Sequence, residues 1–147
     1  MSRIPRFQEH LKTGFTAEAV SAARFRAYAA KAAEDGLPNL ARRWQQLAAA
    51  KDRLAIELLA AADQVRGMDA DLGSAIAEER YENDVLYPKM IHDDAERLGE
   101  SFGRVIAAQQ EHLRSLNALR EEVNASKGDI SLPAEVDHGA SPRDIRG

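Results

Sequence analysis

Six polar or charged side chains fall at positions where a helix facing a core should be apolar: Glu18, Lys51, Glu79, Glu82, Gln109 and His112. Each interrupts a run whose members are spaced by steps of three and four, the mark of one helical face. The runs are Phe15, Glu18, Ala22, Phe25, Ala29, Ala32; then Leu40, Trp44, Leu47, Lys51, Leu54, Leu58; then Leu72, Ala75, Glu79, Glu82, Leu86; then Phe102, Val105, Gln109, His112, Leu116, Leu119. A charge on such a face is costly unless it is paired or bound to a metal. Glu79 and Glu82 form an i, i+3 pair, as do Gln109 and His112. Three carboxylates and an imidazole brought together make an oxygen and nitrogen ligand set suited to iron, manganese or zinc. The same residues are equally able to form a metal-free polar network that fixes helix register. In that case Lys51 either snorkels to the edge of the bundle or pairs with Glu18 or a glutamate of the third run.

These side chains require four helices to hold them. Residues 1–13 read as a polar N-terminal arm, 14–124 as an all-α unit of four helices, and 125–147 as a polar, flexible tail broken by Gly and Pro. The first helix is expected from an N-cap at Thr16 to a stop at Gly36, with Pro38 opening the second. The second is expected to run to Val65 and to close at Gly67. The third begins near Asp69 and carries Tyr87-Pro88, where a kink is expected. The fourth ends near Asn124. Short links after the first and third helices imply two antiparallel hairpins. A turn at Gly36 places Glu18 level with Leu54, one turn from Lys51. A turn near Ala95 places Glu79 level with His112 and Glu82 level with Gln109, whereas a turn at Gly99 would slide the fourth helix by about one turn.

Composition narrows the rest. At 147 residues the chain has single-domain length. Its hydrophobic content of 44%, low aromatic content and abundant alanine suit close helix packing. A net charge of -4 carries no footprint for nucleic acid. The absence of cysteine excludes disulfides, zinc–thiolate sites and iron–sulfur clusters. The segment MSRIPRFQEH has no apolar run, so no signal peptide is expected, and no stretch reaches the roughly 18 apolar residues of a membrane span. A cytoplasmic location is the expectation. Phe25, Trp44 and Phe102 sit at core or dimer-contact spacing, Tyr28 and Tyr81 read as structural, and His10, His92 and His138 lie in polar surroundings.

Two segments carry a more specific signal. FTAEAVSAARFRAYAAKAAEDGLPNLARRW resembles the first helical hairpin of the rubrerythrin family, in the ferritin-like superfamily, and IAEERYENDVLYPKM resembles its third helix, Tyr-Pro included. The resemblance covers roughly residues 10–120 and implies a ferritin-like antiparallel four-helix bundle made of two helical hairpins. It places Glu18, Glu79 and Glu82 at metal-binding carboxylate positions, His112 at the histidine of the last Glu-x-x-His, and Tyr87 near the metals. The departures are as informative. Lys51-Asp52-Arg53-Leu54 stands where the family has a Glu-x-x-His, Gln109 replaces a ligand glutamate, and Phe25 replaces a tyrosine behind the ligands. Three glutamates with Lys51 leave a net charge of -2, which one divalent ion would neutralise. The resemblance therefore implies one divalent metal (iron, manganese or zinc) held by Glu18, Glu79, Glu82 and His112, not a full di-iron centre, and no haem. It implies at most weak peroxidase or oxidoreductase-type activity, with an external electron donor because no rubredoxin domain can be built without cysteine. It also implies a homodimer. The short link Arg66-Gly67-Met68 leaves two arrangements open: hairpins exchanged between chains, or helices two and three as antiparallel neighbours.

Overall fold

A computed structural model describes residues 4–126 and 128–132. Among these residues every regular element is helical: α1 (Ile4–Glu34), α2 (Pro38–Ala61), α3 (Met68–Tyr81), a π-helical turn (Glu82–Leu86), α4 (Tyr87–Asp93) and α5 (Ala95–Ala125). The all-α expectation holds. Most of the expected tail, residues 133–147 with His138 among them, lies outside the described residues. Contacts divide the chain into two compact units, Met1–Asp71 and Leu72–Gly147, each described in turn.

The first unit is the hairpin of α1 and α2. Its turn follows from two residues. Gly36 has φ +77°, a left-handed conformation that costs glycine little. With it, the Gly36 N–H donates to Ala33 O and the Leu37 N–H to Ala32 O, the paired bonds of a Schellman stop. Pro38 then opens α2, where its missing N–H is no loss. The start of α1 corrects the expectation of an arm and of a cap at Thr16. The helix begins at Ile4, and the Thr16 hydroxyl donates to Lys12 O at 3.0 Å, bonding back along a helix already formed. Residues 6–12 are mostly Arg, Gln, Glu, Leu and Lys, good helix formers that extend α1 backwards.

α2 ends at Ala61, four residues before the expected Val65. Asp63 takes the left-handed conformation, φ +55°, and the bonds Asp63 N–H to Ala60 O and Gln64 N–H to Leu59 O form a second Schellman stop. Asp tolerates this conformation better than most non-glycine residues. Gly67 sits further on, where Asp71 accepts hydrogen bonds from the Arg66 and Gly67 N–H groups ahead of α3.

The seam between α1 and α2 is alanine. Ala22, Ala29 and Ala32 of α1, Ala41, Ala48 and Ala55 of α2 and Ala62 directly after it are buried, the last four spaced by seven residues. Such small side chains let two helices approach closely, and a Cβ on Gly14 would lie 3.1 Å from a Leu58 methyl carbon. The expected leucine stripe of α2 runs beside this seam rather than in it. Leu40, Leu47 and Leu54 are between 46% and 50% exposed.

In the second unit, residues 72–93 form one continuous rod with a π turn in its middle. Pro88 cannot donate to the carbonyl four residues back, and its ring crowds that carbonyl. The expected discontinuity takes the form of this wider turn, closed by the Tyr87 N–H on Glu82 O. Asp94 caps α5 by accepting from the Arg97 N–H, so the hairpin turns there and Gly99 lies inside α5. α5 approaches the π turn and α4 closely.

Candidate polar and metal-binding site

In the first hairpin, Lys51 Nζ lies 2.8 Å from Glu18 Oε2. Both side chains are largely shielded, and the carboxylate oxygen is buried without a well-aligned hydrogen bond, so charge rather than directed bonding holds the pair. A turn at Gly36 sets Glu18 level with Leu54 and one turn from Lys51, and the contact it makes is with Lys51. Leu54, the other altered ligand position, carries no group able to bind an ion and is half exposed. Phe25 packs at 5.1 Å between ring centroids on Trp44, which also meets Tyr28 edge-on. Phe25 thus belongs to an aromatic cluster between α1 and α2.

In the second hairpin, Gln109 Nε2 donates to Glu82 Oε2 at 2.7 Å, and His112 Nδ1 lies 3.6 Å from Glu79 Oε1. Both pairs are those expected for a turn near Ala95. Tyr87 stacks on Phe102, ring centroids 5.1 Å apart, where the rod comes back against α5. His112 departs from expectation. Its side chain is 61% exposed, so it stands at the rim instead of on the packed face. The inward-facing run of α5 takes Ile106 and Leu113 in place of Val105 and His112.

Asn83 is a residue that the apolar pattern does not reveal. It is 6% exposed, and neither of its side-chain polar atoms has a hydrogen-bond partner among the described residues. It belongs to the run Leu72, Ile76, Glu79, Asn83, whose steps of four and three define the packed face of the rod. That spacing was the available signal. Glu79 Oε2 and Gln109 Oε1 are also buried and without a hydrogen-bond partner. Buried polar atoms are nearly always satisfied by protein, water or an ion, and these oxygens find no protein donor among the described residues.

The groups can now be set against the metals that the resemblance implies. Lys51 and Leu54 offer no ligand for a second metal ion, and Lys51 already supplies positive charge to Glu18, so a full di-iron centre does not fit this chain. A single cation does fit the donor chemistry of the second hairpin, where carboxylate and amide oxygens lack partners. Among the described residues no group of three or more His, Cys, Asp or Glu is placed to hold a metal ion, so the acidic and imidazole groups stand as pairs rather than as a closed cage.

Comparison with protein-family models, with curated proteins and with solved structures gives no match for this chain. Among the described residues no helix is long and apolar enough to cross a membrane.

Proposed function

We propose that the chain is a divergent, ferritin-like metal-binding protein whose two hairpins make an antiparallel four-helix bundle and which holds one divalent ion. The second hairpin binds that ion at Glu79, with Glu82 and Gln109 beside it and His112 at the rim. In the first hairpin Lys51 supplies the cation for Glu18. The observation that carries this reading is an asymmetry. Glu18 has an ammonium at 2.8 Å, while Glu79 Oε2 and Gln109 Oε1 are buried with no hydrogen-bond partner. The half-exposed leucine row of α2 supports a homodimer in which a second copy covers it. A bound iron would supply one-electron redox chemistry, and any peroxide-linked turnover would draw electrons from a separate protein. Ion content decides the matter. Protein purified without chelator, then offered iron, manganese, zinc or calcium, is expected to retain close to one equivalent; less than about a tenth of an equivalent of every ion overturns the reading.

One observation favours a second reading, a metal-free helical scaffold. The Glu18–Lys51 contact shows that this chain can neutralise an inward carboxylate with its own side chain. Under that reading the second hairpin satisfies its oxygens with water, and no divalent ion raises the melting temperature.

A further inference from the structure

The second hairpin presents two kinds of donor to an ion, and they select different metals. His112 offers an imidazole, which with carboxylates suits zinc and iron. Its side chain is 61% exposed and its Nδ1 is 3.6 Å from Glu79, so it faces solvent beside that carboxylate. The buried donors are all oxygen. Gln109 commits its Nε2 to Glu82 at 2.7 Å, which fixes the orientation of the amide. The reverse orientation would set an amide oxygen against a carboxylate. Glu82 thereby locks Gln109 with Oε1 turned away, and that oxygen is buried and unpartnered. Asn83 follows Glu82 in sequence and lies one helical turn beyond Glu79 on the packed face. It is 6% exposed, with Oδ1 and Nδ2 both unpartnered. Glu79 contributes the third such oxygen, Oε2. Glu79 and Asn83 stand one helical turn apart on the rod, and Gln109 is tied to the same turn through Glu82.

We propose that the ion of the second hairpin is a hard divalent cation of the calcium and magnesium class, ligated by Glu79 Oε2, Gln109 Oε1 and Asn83 Oδ1, with His112 outside its coordination shell. Carboxylate, amide carbonyl and water are the ligands such ions take, and the waters they retain supply the acceptor that Asn83 Nδ2 lacks. The replacement of a ligand glutamate by Gln109 is then a change of metal class rather than the loss of a site. This inference rests on the reading that the second hairpin binds one divalent ion, and its test separates the two.

Full-length protein stripped with chelator is titrated with Ca²⁺, Mg²⁺ and Zn²⁺, followed by calorimetry and by thermal unfolding. Ca²⁺ or Mg²⁺ is expected to bind at one equivalent and to raise the melting temperature. Asn83→Leu removes a buried unpaired amide, so its ion-free form should melt higher while affinity falls by about tenfold or more. Asn83→Asp adds ligand charge and should do the reverse, with an ion-free form that melts lower and affinity that rises by about tenfold. His112→Ala should leave Ca²⁺ affinity within about twofold, a shift well under the tenfold effects that mark a change at the ligands. Binding of Zn²⁺ alone, abolished by His112→Ala and indifferent to Asn83→Leu, overturns the oxygen-ligand assignment and leaves the metal-binding reading standing. Binding of no divalent ion by any of the four proteins overturns both.

Discussion

Lys51 sets the charge balance of the first hairpin at the level of one residue. Its ammonium lies 2.8 Å from Glu18, and the two side chains are 33% and 24% exposed, so the pair is shielded without being dry. Replacing one half of such a pair by an apolar residue leaves the other charge alone, whereas replacing it by a like charge adds repulsion. Lys51→Met is expected to leave the helical content unchanged and to cost about 1 kcal/mol, discounted for the solvent that reaches both groups. Lys51→Glu is expected to cost about 2 kcal/mol in the absence of metal, with part of the loss recovered when a divalent ion is added. Chemical denaturation with and without ion measures both. A Lys51→Glu protein as stable as the parent without ion would show that the pair contributes nothing. Two polar pairs, Glu79 with His112 and Glu82 with Gln109, were legible because their levels follow from turn position and helical rise, whereas Glu18 with Lys51 was one of the pairings open to that lysine. The inward face of Asn83 was not, because the search for an apolar stripe passes over a polar residue that occupies an apolar position.

Among the elements, the stops decide how well the chain can be read. Gly36 and Pro38 announce the first turn by residue type alone, and the structure uses both as their chemistry suggests. The end of α2 is harder, since Asp63 does what glycine usually does. Sequence favours Gly67 as the breaker, yet the left-handed residue is Asp63 at φ +55°, and α2 is four residues shorter for it. Side chains in this conformation carry a steric cost of about 1 kcal/mol relative to glycine. Asp63→Gly is therefore expected to stabilise the protein by about 0.5–1 kcal/mol, and Asp63→Val to destabilise it by at least as much. The midpoint of thermal unfolding checks the pair, and an Asp63→Gly protein less stable than the parent would mean that α2 stops for another reason. The start of α1 and the π turn show the same limit from other directions. A threonine with a free hydroxyl looks like a cap until the residues before it are themselves helical. A proline within a helical pattern shows that the backbone must give way, but not whether by a kink or by a wider turn.

For the molecule as a whole, the notable fact is what the alanine seam leaves over. A buried alanine methyl contributes about 0.8 kcal/mol, well below the 1.5–3 kcal/mol of a buried leucine. The first hairpin closes on alanines at positions 41, 48, 55 and 62, and the leucines at 40, 47 and 54 repeat with the same seven-residue period one position away. A row of large apolar side chains held parallel to a closed seam is a surface prepared for another helix face. If a second copy supplies that face, the parent protein sediments at twice the 16.2 kDa chain mass. Leu47→Lys then places an ammonium at the centre of the row, where association would have to desolvate it, and the mass should fall to that of one chain at equal concentration with helical content retained. The alanine seam predicts that retention, because Leu47 contributes little to closing the hairpin, so a loss of mass without loss of helix would locate the interface and not merely report a damaged fold. A parent protein that sediments as a single chain, or a Leu47→Lys protein that still pairs, removes the leucine row as the dimer contact.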